Sequence, residues 1–212
     1  MTLEEITKKY ERPLIGIIGA NSPLPNYDSD DAYRLGYELR RIASKQGTLF
    51  TGGVSGVGVD VYNGIVDYCN EEGIEDKFFV LFPEGNIKPS PEYFDLAKSI
   101  KNGVLKVERA GRDFEERRSY IGALADVLIL MNGSSGTADE ALKGLFLRKP
   151  VVCLQNSGGA AEAISKLKRG EIEIPLKIDK GLIVNCDSVS DVVNYLSNEF
   201  LYKLGEKAKW MS

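Results

Sequence analysis

The chain has 212 residues, 43% of them hydrophobic, which is enough to bury the core of one α/β domain, so residues 1–212 are read as a single domain. It carries 27 Lys and Arg against 31 Asp and Glu, a formal net charge of −4, and no long basic stretch that would track a phosphodiester backbone, which argues against nucleic acid as a partner. Histidine is absent, removing the commonest metal ligand and neutral-pH general base; a zinc hydrolase and a Ser-His-Asp triad are excluded, and neither a metal nor a cofactor is expected.

Cys69, Cys153 and Cys186 are widely spaced in apolar neighbourhoods and form no Cys-x-x-Cys pair, so they read as reduced core residues. Met1 to Glu5 opens an acidic, helix-compatible segment rather than a basic region followed by an apolar run, so no signal peptide is expected. The apolar runs are too short to span a bilayer. A cytoplasmic protein with no membrane partner is the default expectation.

In chain order, Leu14 to Ile18 reads as a first buried strand. Asp30 to Lys45 follows as a helix with Leu35, Leu39 and Ile42 at helical spacing, stopped by Gly47. Thr48 to Phe50 is a second strand, Val57 to Asn70 a helix with Val61, Ile65 and Val66 inward, and Phe78 to Phe82 a third strand. A Pro- and Gly-containing loop from Pro83 to Pro91 precedes a short helix and a strand around Val104 to Val107. Phe114 to Leu124 reads as helix, Asp126 to Leu130 as a strongly apolar strand, and Gly136 to Leu147 as a helix ended by Lys149-Pro150. Then come a strand at Val151 to Leu154, a helix from Ala160 to Leu167, a strand at Leu182 to Val184 and a closing helix from Val189 to about Leu204. Alternating strands and helices predict a Rossmann-like α/β fold, a parallel sheet with helices on both faces.

In such sheets ligands bind outside the carboxyl ends of the strands. Four loops there are rich in glycine or serine: Gly19-Ala20-Asn21-Ser22, Gly52-Gly53-Val54-Ser55-Gly56, Gly133-Ser134-Ser135-Gly136-Thr137 and Ser157-Gly158-Gly159. Backbone N–H groups in such loops converge on an anion, and the following helix adds its positive dipole end, so together they predict a phosphate site. Each loop alone is better explained by a turn that needs glycine for positive φ or close packing, and it is four of them on one sheet edge that favour a shared ligand. No Gly-Lys-Ser/Thr follows any of them, and Gly-x-Gly-x-x-Gly is missing after the first strand, so P-loop and dinucleotide fingerprints are absent.

The stretch Asp126 to Glu140, with Asn132-Gly133-Ser134-Ser135-Gly136-Thr137-Ala138-Asp139-Glu140 after a buried strand, resembles the Pro-Gly-Gly-x-Gly-Thr-x-x-Glu signature of the Lonely Guy (LOG) family. Glu116-Arg117-Arg118 resembles that family's His-Glu-Arg-Lys segment, Gly52 to Val57 its second glycine loop, and Leu35-Gly36 also matches; the likeness runs from about Leu14 to Leu167. It implies hydrolysis of the N-glycosidic bond of a nucleoside 5′-monophosphate, and nothing resembles a pyridoxal phosphate site, so the older label of lysine decarboxylase does not apply. By resemblance Gly136 and Thr137 hold the 5′-phosphate, Glu140 faces the ribose, and Arg117 pairs with ligand and carboxylate. A carboxylate there would stabilise the positive charge that builds on the ribose and orient water.

Both residues also have plain structural readings. Glu140 and Asp139 complement a helix dipole, and Arg117 and Arg118 sit among Glu115 and Glu116 on a solvated face. The signature favours function for Arg117 and Glu140 and leaves Arg118 open. Two positions depart from it: Asn132 stands where the family has Pro, and Ser134 where it has Gly. Leu154 to Ala161 resembles a loop of the wider SLOG superfamily, whose members include nucleotide and ADP-ribose sensors, and molybdenum-cofactor carriers share the fold. The alternative reading is therefore a module that binds a nucleotide without turnover. The resemblance also implies a homodimer or larger assembly, with Leu142, Leu145 and Phe146 available for it unless the core takes them. Tyr62, Tyr68 and Tyr120 are candidates to stack on a base, although packing explains tyrosines at such helical positions more often.

Overall fold

The computed structural model describes residues 2–43, 46–101 and 103–201. Seven strands form one fully parallel sheet: β1 (Leu14–Gly19), β2 (Thr48–Thr51), β3 (Phe78–Phe82), β4 (Lys106–Arg109), β5 (Val127–Met131), β6 (Val151–Leu154) and β7 (Ile183–Cys186). Their order is β4-β3-β2-β1-β5-β6-β7, so the chain winds outward from β1 in one direction and returns to start again at β5. Strands covered on both faces need apolar side chains at every position, which is why β3, β5 and β6 are continuous hydrophobic runs with no polar alternation.

Successive side chains point to opposite faces of a strand and thereby feed two cores. Ile15, Ile17, Val127, Ile129 and Met131 enter one, under α2 (Ser29–Ile42), α3 (Val57–Glu72), α4 (Pro91–Ser99) and α8 (Val189–Tyr195). Leu14, Ile18, Leu128 and Leu130 enter the other, under α1 (Leu3–Lys9), α5 (Phe114–Leu124), α6 (Ser135–Phe146) and α7 (Gly159–Arg169). The expected single α/β domain of Rossmann-like form is what the chain adopts. Cys69, Cys153 and Cys186 are buried and unpaired in these cores. Burial pushes the Cys153 thiol up to about 12, leaving it a protonated packing residue.

Helices α2 and α3 approach backbone to backbone. A Cβ at Gly36 would lie 1.8 Å from the Val61 carbonyl oxygen, and one at Gly64 would lie 1.9 Å from that of Tyr33. Three tyrosines then bridge the pair, with Tyr27, Tyr33 and Tyr37 hydroxyls donating to Asp60, Asp67 and Glu71. Because the obstacle at Gly36 is backbone, Gly36→Ala is expected to lower stability by about 1–3 kcal/mol, read as a shift in the urea midpoint at unchanged slope.

Element ends differ from expectation where tertiary context decides them. The strand expected at Val104 starts at Lys106, because Val104 is 74% exposed and β4 is an edge strand paired only with β3. The inward-facing Glu108 of β4 takes hydrogen bonds from Lys9 and Tyr10, a charged edge of the kind that discourages further pairing. Helix α2 ends at Ile42, before the expected stop at Gly47, and the expected end at Lys45 lies outside the described residues. Helix α8 passes into a π-helical turn, Leu196–Phe200, and the expected end near Leu204 also lies outside them. Among the described residues no helix is long and apolar enough to cross a membrane.

Candidate functional site

The reversal of strand order between β1 and β5 opens a crevice at their carboxyl ends, where Gly19, Thr51 and Met131 close β1, β2 and β5. A cavity of about 390 Å³ lies there, within the range of small-molecule sites. Its walls contain Gly19 from the first loop, Gly52 and Ser55 from the second, Ser134, Gly136 and Thr137 from the third, and Arg117 and Glu140 from α5 and α6. Three distant glycine loops and both proposed catalytic residues are thus brought together.

Arg117 and Glu140 arrive by the same route. On α5, Arg117 shares the inward stripe with Ile121 and Leu124, and on α6, Glu140 shares it with Thr137, Ala141 and Gly144. A charge on a core-facing stripe needs a partner, and each supplies the other's: Arg117 Nη2 donates to Glu140 Oε1 at 2.9 Å, with the side chains 6% and 8% exposed. Arg117 Nη1 donates to the Gly52 carbonyl oxygen at 2.5 Å, and the guanidinium lies 5.2 Å from the Phe114 ring centre. The guanidinium occupies the space a side chain at Gly52 would fill, since a Cβ there would stand 2.6 Å from Nη1. Burial raises the Glu140 pKa, against the pull of Arg117 and Arg118, and burial also lowers that of Arg117, which still stays cationic. Among the described residues, Arg117 Nε is buried without a hydrogen-bond partner.

The third loop ends at the N-terminus of α6. Its first-turn N–H groups precede the first intrahelical acceptor, Ser134 makes no side-chain cap to them, and no acidic residue stands in that turn. This is an anion-attracting helix end opening on the cavity. Arg118, left open by the sequence, lies on the same wall: its Nη2 would be 3.0 Å from a Cβ at Gly136, and its ion pair to Asp139 is a loose 3.7 Å. The Thr137 hydroxyl, expected to hold phosphate, donates instead to the Gly19 carbonyl oxygen at 3.1 Å, which ties β1 to α6 and leaves Thr137 only its backbone N–H for an anion.

The fourth loop does not join the cavity wall. Ser157 is 4% exposed, its hydroxyl donating to the Leu154 carbonyl and accepting from the Asn132 N–H. The N-terminal donors of α7 are consumed as well, Ala160 and Ala161 donating to the Gly133 and Asn132 carbonyls at 2.7 and 3.1 Å. Ser157, Gly158 and Gly159 thus buttress the third loop from behind. Ser22, Gly53, Gly56, Gly133 and Ser135 are not among the residues facing the cavity either; Gly133, at φ 105°, supplies the left-handed turn that lets the loop reach α6. Asn21 and Val54, members of the first two loops, also line it, and the wall residues outside the expected loops and pair are Ile17, Ile18, Thr51, Gly58, Phe114 and Arg118. Phe114 was detectable, standing three residues before Arg117 on one helix face. Tyr62 and Tyr68 are core residues, Tyr120 is partly buried against the core, and none of the three faces the cavity. Leu145 is buried, Leu142 packs against the core, and Phe146 is 71% exposed.

No family model and no curated protein matches the sequence. Solved structures do match. TM1055, a structural-genomics protein, is 23% identical over 87% of this chain and 98% of its own, with a TM-score of 0.64. The molybdenum cofactor carrier protein of Chlamydomonas reinhardtii is 22% identical over 87% and 96%, at 0.58. DNA processing protein A of Helicobacter pylori, described with a single-stranded DNA binding mode, is 18% identical over 91% and 82%, at 0.60. The last corrects the exclusion of nucleic acid drawn from net charge, because a protein of this fold binds single-stranded DNA. The physical reason is that a sum of −4 averages over the whole surface and does not register that Arg117, Arg118 and a helix N-terminus meet in one crevice. These likenesses establish the fold: the chain has the Rossmann-like architecture that a molybdenum cofactor carrier and a DNA processing protein share.

Proposed function

We propose that this protein binds a nucleotide in the β1/β5 crevice, with a phosphate at the N-terminus of α6. The observation that carries the reading is the meeting of an uncapped helix end with the buried Arg117–Glu140 pair in one cavity of about 390 Å³. Gly136 and Thr137 would donate backbone N–H groups to the phosphate, Ser134 its hydroxyl and Arg118 its guanidinium, while Glu140 would lie toward the sugar. With that placement the site is equipped for N-glycosidic hydrolysis of a nucleoside 5′-monophosphate, Glu140 countering positive charge on the ribose and Arg117 holding the carboxylate in place.

A second reading, carriage of a phosphorylated cofactor without turnover, is favoured by two details. Ser134 adds a side chain where the hydrolase signature has glycine, and the Thr137 hydroxyl is engaged with Gly19. Both readings share the binding step. AMP at a hundred times its Kd should raise unfolding stability by about 2.7 kcal/mol. Ser134→Asp, which sets a negative charge beside the phosphate, should abolish that gain while leaving the stability of the ligand-free protein nearly unchanged. Release of adenine by the unmutated protein supports hydrolysis; AMP recovered intact supports carriage; no stabilisation by any nucleotide removes both.

A further inference from the structure

Asn132 is fully buried, at φ 55°, a left-handed conformation that asparagine tolerates and a proline ring forbids. Its position just after β5 gives it reach to two other loops. Its side-chain oxygen accepts from the Leu24 N–H at 3.0 Å, and its amide donates to the Leu24 carbonyl at 3.4 Å, a two-point clamp on the loop after β1. The same amide donates to the Ser157 carbonyl at 2.5 Å, and the Asn132 N–H donates to the Ser157 hydroxyl at 2.7 Å. The loop that Asn132 grips at Leu24 is the one that carries Asn21 on the cavity wall, and Gly136, from the loop Asn132 itself begins, lines the same cavity.

We infer that Asn132 is a positioning residue for the ligand: it locks the loop after β1 and the loop after β5 in one register, so that the walls of the crevice are set before the ligand arrives. The role rests on the nucleotide reading given above. It also accounts for the departure from the signature, since the backbone path seen here requires an N–H donor and a positive φ that proline supplies neither of. Unclamped, the loop after β1 spends only part of its time in the competent position, and apparent affinity falls in proportion to that fraction.

The experiment compares Asn132→Gly, which keeps the left-handed backbone but deletes the clamp, with Ser157→Ala, which removes a buried hydrogen bond and leaves the clamp on Leu24 intact. Amide exchange at Leu24 and AMP affinity by calorimetry are measured for both. Asn132→Gly should speed exchange at Leu24 and weaken AMP about ten-fold, as expected if the competent fraction drops to about a tenth. Ser157→Ala should lower the melting temperature yet leave Leu24 exchange and AMP affinity within about two-fold of the parent. Unchanged AMP affinity in Asn132→Gly, or equal weakening in both variants, overturns the role. If the unmutated protein binds no AMP, the functional reading falls, and the clamp is judged by exchange at Leu24, where an unchanged rate overturns it too.

Discussion

Replacing Arg117 with methionine should cost about 3–5 kcal/mol at neutral pH, because it leaves the Glu140 carboxylate buried without its cation and the Gly52 carbonyl without its donor. Out of a total of about 5–15 kcal/mol for a typical domain, that is enough to bring the protein close to unfolding. The loss should depend on pH with a definite sign. Burial raises the folded-state pKa of Glu140 above the ordinary 4.5, so its contribution is fully present below 4.5 and declines as pH rises through the raised value. Without Arg117 the rise is larger, and so is the decline. The gap between variant and parent in urea unfolding is therefore widest at neutral pH and narrows toward pH 4.5; a gap that widens in acid would show that Glu140 is not the group left stranded.

Glu140→Gln should separate chemistry from binding. If the proposed hydrolysis is the activity, base release from AMP should fall by about 10²–10⁴-fold, since the amide can neither counter charge on the ribose nor take a proton from water. The amide oxygen still accepts from Arg117, so the wall keeps its shape and AMP affinity should change far less than turnover. Rates must be referred to folded protein, because a neutral partner leaves the Arg117 charge uncompensated. Loss of affinity in step with loss of turnover would place Glu140 in ligand binding instead of in the reaction.

The fold was legible because the strands are buried on both faces. Runs such as Phe78 to Phe82 and Val151 to Leu154 are uninterrupted apolar segments bounded by turn residues, and their limits match expectation. Helix α1 went unassigned beyond a helix-compatible opening, since its seven residues rest on a Thr2–Glu5 capping box and one buried residue, Ile6. The candidate site was legible in part. Arg117 and Glu140 stood out only through their resemblance to the signature, and the solvated face that charge patterning suggested for Arg117 is instead a core-facing stripe on which it pairs with Glu140. The spacing cannot say which glycine loops face a ligand and which support another loop. Ser157-Gly158-Gly159 matches a phosphate cradle in composition, yet its helix donors are consumed by the Asn132 and Gly133 carbonyls, a long-range pairing with no local trace. Net charge misled for a related reason, since it carries no information on where the charges sit.

The most direct measurement is a crystal structure of the protein with AMP. The phosphate should lie within hydrogen-bond reach, about 3 Å, of the Gly136 and Thr137 N–H groups, with Arg118 turned from Asp139 toward it and the ribose facing Glu140. AMP bound elsewhere, or a phosphate away from α6 with Arg118 still beside Asp139, would contradict the assignment of this crevice as the nucleotide site.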